Sequence, residues 1–118
     1  MNKQQRKEIE GIVGLISPYA DSNVLSEMDE AGRGVTTNVI DDARSEIESI
    51  KADEEEKLEN MPESLRDGSK GEQQQEVIDN LDSAVGALED AVAADHDEEW
   101  ATTVAEKVAE AVDSLNSV

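Results

Sequence analysis

The only histidine of the chain, His96, lies between Asp95 and Asp97. Glu99 follows three residues later, so one imidazole and several carboxylates lie close together in sequence. Imidazole and carboxylate groups bind transition metals, and this is the first place where chemistry could occur. A di-metal helical bundle, however, needs Glu-x-x-His pairs on more than one helix, and this chain has one histidine. We interpret the cluster as a solvent-exposed helix start and expect no metal and no cofactor.

Gly32-Arg33-Gly34 is a glycine-rich segment that could resemble a phosphate-binding loop. Such a loop follows a strand and ends in Gly-Lys-Ser/Thr, and neither feature is present here. We therefore expect a flexible turn. No serine lies in a nucleophile-elbow motif with a histidine and a carboxylate to complete a triad. The sequence predicts a protein that binds a partner and is not an enzyme.

Acidic side chains are the strongest chemical signal, with 30 Asp and Glu against 10 Lys and Arg and a net charge of −20. This balance argues against direct binding to nucleic acids, which need a basic surface, and to anionic membranes. A helix rises about 1.5 Å per residue and duplex DNA carries one phosphate per about 1.7 Å, so helical carboxylates can approximate its charge density. We predict a DNA mimic that inhibits a nucleic-acid-binding or defence protein. The expected partner-binding residues are Asp53, Glu54, Glu55, Glu56, Glu59, Asp95, Asp97, Glu98 and Glu99.

Two other interpretations of the charge stay open. The acidic surface could serve only to keep a coiled-coil assembly or scaffold protein in solution. It could also be an adaptation to high salt, although the excess of Glu over Asp gives that interpretation little support. The absence of an apolar run of about 18 residues argues against a membrane span, and the polar, Glu-flanked start argues against a signal peptide. We expect a cytoplasmic protein.

Apolar residues at helical spacing predict four helices, at about 3–16, 36–60, 72–94 and 96–116. Thr36 or Thr37 is expected to cap the second helix, and Pro62 to end it. A loop is expected from about Pro62 to Gly71. Asp95 and Glu98 form a capping-box pattern that favours a break near 95, although one helix over 72–118 stays possible. The predicted fold is all-α: a single domain built as a long antiparallel helical hairpin or small bundle.

The third helix carries the most regular heptad pattern in the chain. Because the apolar stripes are narrow and rich in Val and Ala, we expect a homo-oligomer, with a dimer favoured, to complete the core. Trp100 begins the last apolar stripe, which favours core packing over an exposed contact residue. The expected oligomer seam consists of Ile78, Leu81, Val85, Leu88 and Val92.

The segment Ser45–Leu65, with its charged helix followed by Asn-Met-Pro-Glu-Ser-Leu, resembles short acidic helical proteins of phage and bacterial genomes. The similarity continues through Gly71-Glu72 into the heptads and covers roughly 60% of the chain; the residues from Ser17 to about Thr37 and the final helix have no counterpart. No function is assigned to that group, so no functional residue is transferred. The resemblance implies a phage or prophage setting and helices on both sides of Pro62.

Overall fold

Helices carry most of the chain in the computed structural model, which describes all 118 residues. There is no strand, so the predicted all-α class is confirmed. A 3₁₀ turn, Ser17–Ala20, follows the first helix. The α-helices are α1 (Lys3–Ile16), α2 (Ser22–Ser26), α3 (Glu30–Glu59), α4 (Glu63–Arg66), α5 (Ser69–Val92) and α6 (Trp100–Asn116).

Helix α1 begins with a capping box, a motif that satisfies two backbone N–H groups at once. The Asn2 side chain accepts from the backbone N–H of Gln5 at 2.8 Å, and the Gln5 side chain accepts from the backbone N–H of Asn2 at 3.2 Å. Ile9, Ile12 and Ile16 follow at helical spacing and are buried. This apolar face attaches α1 to the rest of the molecule.

Helix α3 begins at Glu30, six residues before the predicted start, so the expected flexible turn at Gly32-Arg33-Gly34 is wrong. The reason is the Asp29 side chain, which accepts from the Gly32 N–H at 2.8 Å and caps a helix that runs through both glycines. Thr36 does not cap. Its hydroxyl donates to the Gly32 carbonyl at 2.9 Å, one turn back inside the helix.

The three long helices pack side by side, with α5 between α3 and α6. Glu54 of α3 contacts Gln74 of α5, whereas the earlier Lys51 contacts the later Asp82. Asn80 of α5 contacts Ser117 at the end of α6, whereas the later Asp90 contacts the earlier Lys107. Neighbouring helices therefore run in opposite directions, and the molecule is elongated, with extents of 53 × 22 × 17 Å. Trp100 is 1% exposed, which confirms the prediction that it packs in the core.

The predicted oligomer seam lies inside the single chain, which corrects its assignment as a surface open to a second copy. Ile78, Leu81, Val85 and Leu88 are buried, and Val92 is half-buried. The physical reason is that α3 and α6 of the same chain already cover this side of α5.

The connections differ from the predicted ones in detail. Between α3 and α5, the four-residue helix α4 replaces part of the expected loop, and α5 begins at Ser69. Residues 93–99 separate α5 from α6, but the expected capping box is not formed. The Asp97 carboxylate accepts instead from the Glu99 N–H at 2.9 Å. This hydrogen bond between residues two positions apart stabilises the turn before α6.

Candidate protein-interaction surface

The exposed carboxylates in the middle of α3 differ in their surroundings, and one group of them is paired with basic residues. Arg44 pairs with Asp41 and Glu48, both at 2.9 Å. Lys51 pairs with Glu55 at 3.6 Å and with Asp82 of α5 at 2.7 Å. The pKa of Lys51 is raised above its ordinary value, mainly by the hydrogen bond to Asp82. On this side of α3 two basic residues are shared among four carboxylates, so about half of the negative charge is compensated.

The second group, which we name the unpaired stripe, consists of Asp42, Glu46, Asp53 and Glu56. All four are exposed and none forms a salt bridge. With the exposed Ser49 between them, the positions follow steps of four, three, four and three, so they lie along one face of the helix. From Asp42 to Glu56 the stripe is about 21 Å long at the usual rise of a helix. It is a row of four free carboxylates, interrupted once by Ser49.

A groove between α1 and α3 borders the unpaired stripe. Its volume is about 420 Å³, and Glu8 of α1 faces Glu46 and Asp53 of α3 across it. Ile50, which is 5% exposed, supplies the apolar part of its lining, together with the small Ser49. The groove therefore combines three carboxylates with a small apolar contact at Ile50.

The predicted site residues on α3 do not share one face. Asp53 and Glu56 belong to the unpaired stripe, whereas Glu55 is paired with Lys51. Glu59 lines a different groove, between α3 and α5. Glu54 is fully buried, so the expectation that it lies on the partner-binding surface is wrong.

Glu54 belongs to a buried group of polar side chains that joins α1, α3 and α5. Gln74 donates to the Glu54 carbonyl at 2.9 Å and to its carboxylate at 2.5 Å. Lys57 donates to the same carboxylate at 3.0 Å and to the Gln5 side chain at 2.6 Å. The amino group of Met1 lies 3.8 Å from the carboxylate. We name Gln5, Glu54 and Gln74, together with Lys57, the polar layer.

The pKa of Glu54 reflects opposing effects. Burial by itself raises the pKa of the carboxyl, because the charged form loses water. The hydrogen bonds from Gln74 and Lys57, together with the positive charges of the amino terminus and of Lys57, outweigh burial, and the pKa of Glu54 lies below its ordinary value. The carboxylate is therefore held in its charged form inside the protein.

Spacing in the sequence indicates that three members of the polar layer point into the interior. Gln5 lies four residues before Ile9, Glu54 lies four after Ile50, and Gln74 lies four before Ile78. Each is the next position of an apolar stripe, where the side chain points into the interior. What the spacing does not reveal is that these three positions meet.

The second predicted cluster, Asp95, Asp97, Glu98 and Glu99, is exposed in the connection between α5 and α6. This connection contacts Glu30 and Arg33, at the beginning of α3. Since Asp53 lies 20 residues after Arg33, the cluster is about 30 Å along the helix axis from that part of the unpaired stripe. The structure does not bring the two predicted acidic clusters together.

Comparison with protein-family models, with curated proteins and with solved structures found no match for this chain. No group of three or more His, Asp or Glu side chains is arranged to hold a metal ion. None of the helices has both the length and the apolar character required to cross a membrane.

Proposed function

We propose that this chain is a non-enzymatic acidic interaction protein that occupies the DNA-binding surface of another protein. The observation that carries the proposal is the unpaired stripe: free carboxylates along about 21 Å of one helix face. On the adjacent face of the same helix, Arg44 and Lys51 compensate part of the negative charge. A basic surface that binds along a phosphate backbone is complementary to such a row, because its charge has the opposite sign and its form is also linear.

The groove beside the stripe supports a basic partner in particular. An arginine or lysine entering it would meet the carboxylates of Glu8, Glu46 and Asp53. Its methylene groups would lie on Ile50, as long basic side chains do on apolar surface. Charge at the head and apolar contact along the stem are the two requirements of such a side chain, and the groove supplies both.

The setting we propose for this interaction is a phage-infected or prophage-carrying bacterium, with the protein in the host cytoplasm. The basis is the resemblance of Ser45–Leu65 to short acidic phage proteins. In that setting the partner is a host nucleic-acid-binding or defence protein. Inhibition follows because the partner cannot hold DNA and this protein on the same surface.

Neutralising the unpaired stripe is expected to weaken partner binding. The partner is first captured from bacterial lysate at low salt, identified and purified, and its affinity is then measured. The stripe variant carries Asp42→Asn, Glu46→Gln, Asp53→Asn and Glu56→Gln. We expect a loss of about tenfold to a thousandfold, because each exposed ion pair contributes up to about 1 kcal/mol. Duplex DNA is expected to compete with the wild-type protein for the partner, and high salt to release it.

A control variant separates the stripe from net charge. It carries Glu76→Gln, Glu89→Gln, Glu106→Gln and Asp113→Asn, which are exposed residues of α5 and α6 outside salt bridges. Both variants lose four negative charges, so a general effect of charge weakens both equally. Equal affinities for the two variants, or a complex that is insensitive to salt and to DNA, would contradict the proposal.

The alternative function, a coiled-coil assembly protein, has less support because the heptad residues it needs are buried within one chain. The homodimer stays a prediction. Sedimentation velocity at micromolar concentration tests it, since one chain has a mass of 12.8 kDa. A particle of twice that mass supports a dimer formed through a surface other than the heptad seam, and a particle of 12.8 kDa contradicts it.

A further inference from the structure

The connection between α5 and α6 is attached to the first turns of α3 by a side-chain pair that no proposed function uses. The Nδ1 atom of His96 lies 2.7 Å from Oε1 of Glu30, at hydrogen-bond distance. These residues are 66 positions apart in sequence, so the contact joins two distant segments. His96 is the only histidine of the chain.

Trp100 lies beneath this contact. The His96 ring centroid is 5.7 Å from that of Trp100, with the planes at 73°, an edge-to-face arrangement. The guanidinium carbon of Arg33 lies 5.0 Å from the Trp100 ring centroid, on its face. Arg33 also approaches the Asp97 carbonyl, at 3.5 Å. Two side chains from the connection and from α3 thus cover the same indole.

The indole N–H of Trp100 is buried and has no hydrogen-bond acceptor. A buried tryptophan usually finds a partner for this group, and that bond then fixes the ring. Here the orientation and the cover of the ring depend on packing, on Arg33 and on His96. Part of the cover of the Trp100 ring therefore comes from the connection and from α3.

We infer that His96 and Glu30 form a pH-sensitive latch, which holds the α5–α6 connection against α3 when His96 is protonated. Histidine is the side chain that ordinarily changes charge between about pH 5 and pH 8. With His96 charged, the contact is an ion pair; with His96 neutral, at most a hydrogen bond to the carboxylate is left. The latch is therefore closed at the acid end of this range and loosens as the pH rises.

Charged groups of both signs lie around His96. Glu30 contacts it directly, and Arg33 is the nearby cation on α3. The other charged groups of the two segments are carboxylates: Asp29 before α3, and Asp95, Asp97, Glu98 and Glu99 in the connection. No basic residue other than Arg33 belongs to these segments.

Quenching of Trp100 fluorescence by acrylamide tests the latch, because Trp100 is the only tryptophan and a neutral quencher is unaffected by the charge of the protein. We expect the quenching constant of the wild-type protein to rise about twofold between about pH 5 and about pH 8 as the connection loosens. In Glu30→Gln, which keeps the size of the side chain and removes its charge, this pH dependence is expected to disappear. Glu30 is 79% exposed, so the variant is expected to fold, and its helical circular dichroism confirms this.

A matched control is Glu27→Gln, which removes an exposed carboxylate of the same region that forms no salt bridge. It is expected to keep the wild-type pH dependence. The inference is overturned if quenching of the wild-type protein does not change with pH, or if Glu30→Gln responds to pH as the wild-type protein does. The latch does not depend on the proposed function, since no partner is present in this experiment.

Discussion

Gly71→Ala is expected to destabilise the protein by about 3 kcal/mol or more, a large part of the free energy of unfolding of a small domain. Gly71 is buried in the first turn of α5, where the chain returns closely past the end of α4. A Cβ atom at this position would overlap the backbone carbonyl of Arg66. Because the obstacle is backbone, no side-chain rotation relieves it, and α4 or the start of α5 must move. Urea unfolding followed by circular dichroism measures the effect.

Gly86→Ala is the matched control for this prediction. Gly86 lies in the middle of the same helix, and an added Cβ would meet no atom within 4 Å. We expect this variant to be more stable than the wild-type protein by about 0.5–1 kcal/mol, because alanine has the higher helix propensity. If Gly71→Ala unfolds at the urea concentration of Gly86→Ala, the close approach to Arg66 is not a constraint on the fold.

Glu54→Gln is expected to cost about 2–3 kcal/mol, although it changes only one atom of a side chain. The carboxylate accepts hydrogen bonds from Gln74 and Lys57, and an amide can accept with only one of its two terminal atoms. The variant therefore places an N–H₂ group against a donor and leaves Lys57 without its charged partner. Urea unfolding at neutral pH measures the loss.

The loss of unfolding free energy caused by Glu54→Gln is expected to depend on pH. The pKa of Glu54 is lower in the folded protein than its ordinary value, so the folded state binds this proton less readily than the unfolded state. The stabilisation is complete above the ordinary carboxylate range and disappears as the pH falls through the folded pKa. The difference in unfolding free energy between wild type and Glu54→Gln is therefore expected to shrink in acid. Using the difference removes the contribution of the other carboxylates, which both proteins share.

Glu56→Gln provides the control, because it makes the same chemical change two residues later at an exposed position without a salt bridge. Its unfolding free energy is expected to lie within about 0.5 kcal/mol of the wild-type value. A Glu54→Gln protein as stable as Glu56→Gln at neutral pH would show that the polar layer contributes nothing to stability.

Local spacing was sufficient to predict most of the helices, and the exceptions have local and tertiary causes. Ile9, Ile12 and Ile16 predict α1, and the structure buries all three. The early start of α3 also has a local cause, since Asp29 caps it, but two glycines and an Arg between them favoured a turn. The close approach of Arg66 to Gly71 is tertiary, because it depends on how α4 turns the chain back toward α5.

The acidic surface shows the same division. Composition alone indicates a strongly negative protein, and helical spacing places Asp42 and Glu46 on one face. Spacing also suggests that Arg44 neutralises its neighbours along the helix. Spacing does not indicate that Lys51 also pairs with Asp82, which lies 31 residues away. Nor does it indicate that the predicted run Asp53–Glu59 is divided among a free stripe, a paired side and the interior.

The all-α class of this chain, the positions of its apolar stripes and its negative charge follow from the sequence alone. These properties depend on residue types and on a helical period of about 3.6 residues, both of which are local. Long-range packing determines that α3 and α6 of the same chain cover the heptads of α5, and that Gln5, Glu54 and Gln74 come together. A stripe specifies that a face must be buried but not which surface covers it. That choice follows from the turns and from long-range packing, which no local pattern encodes.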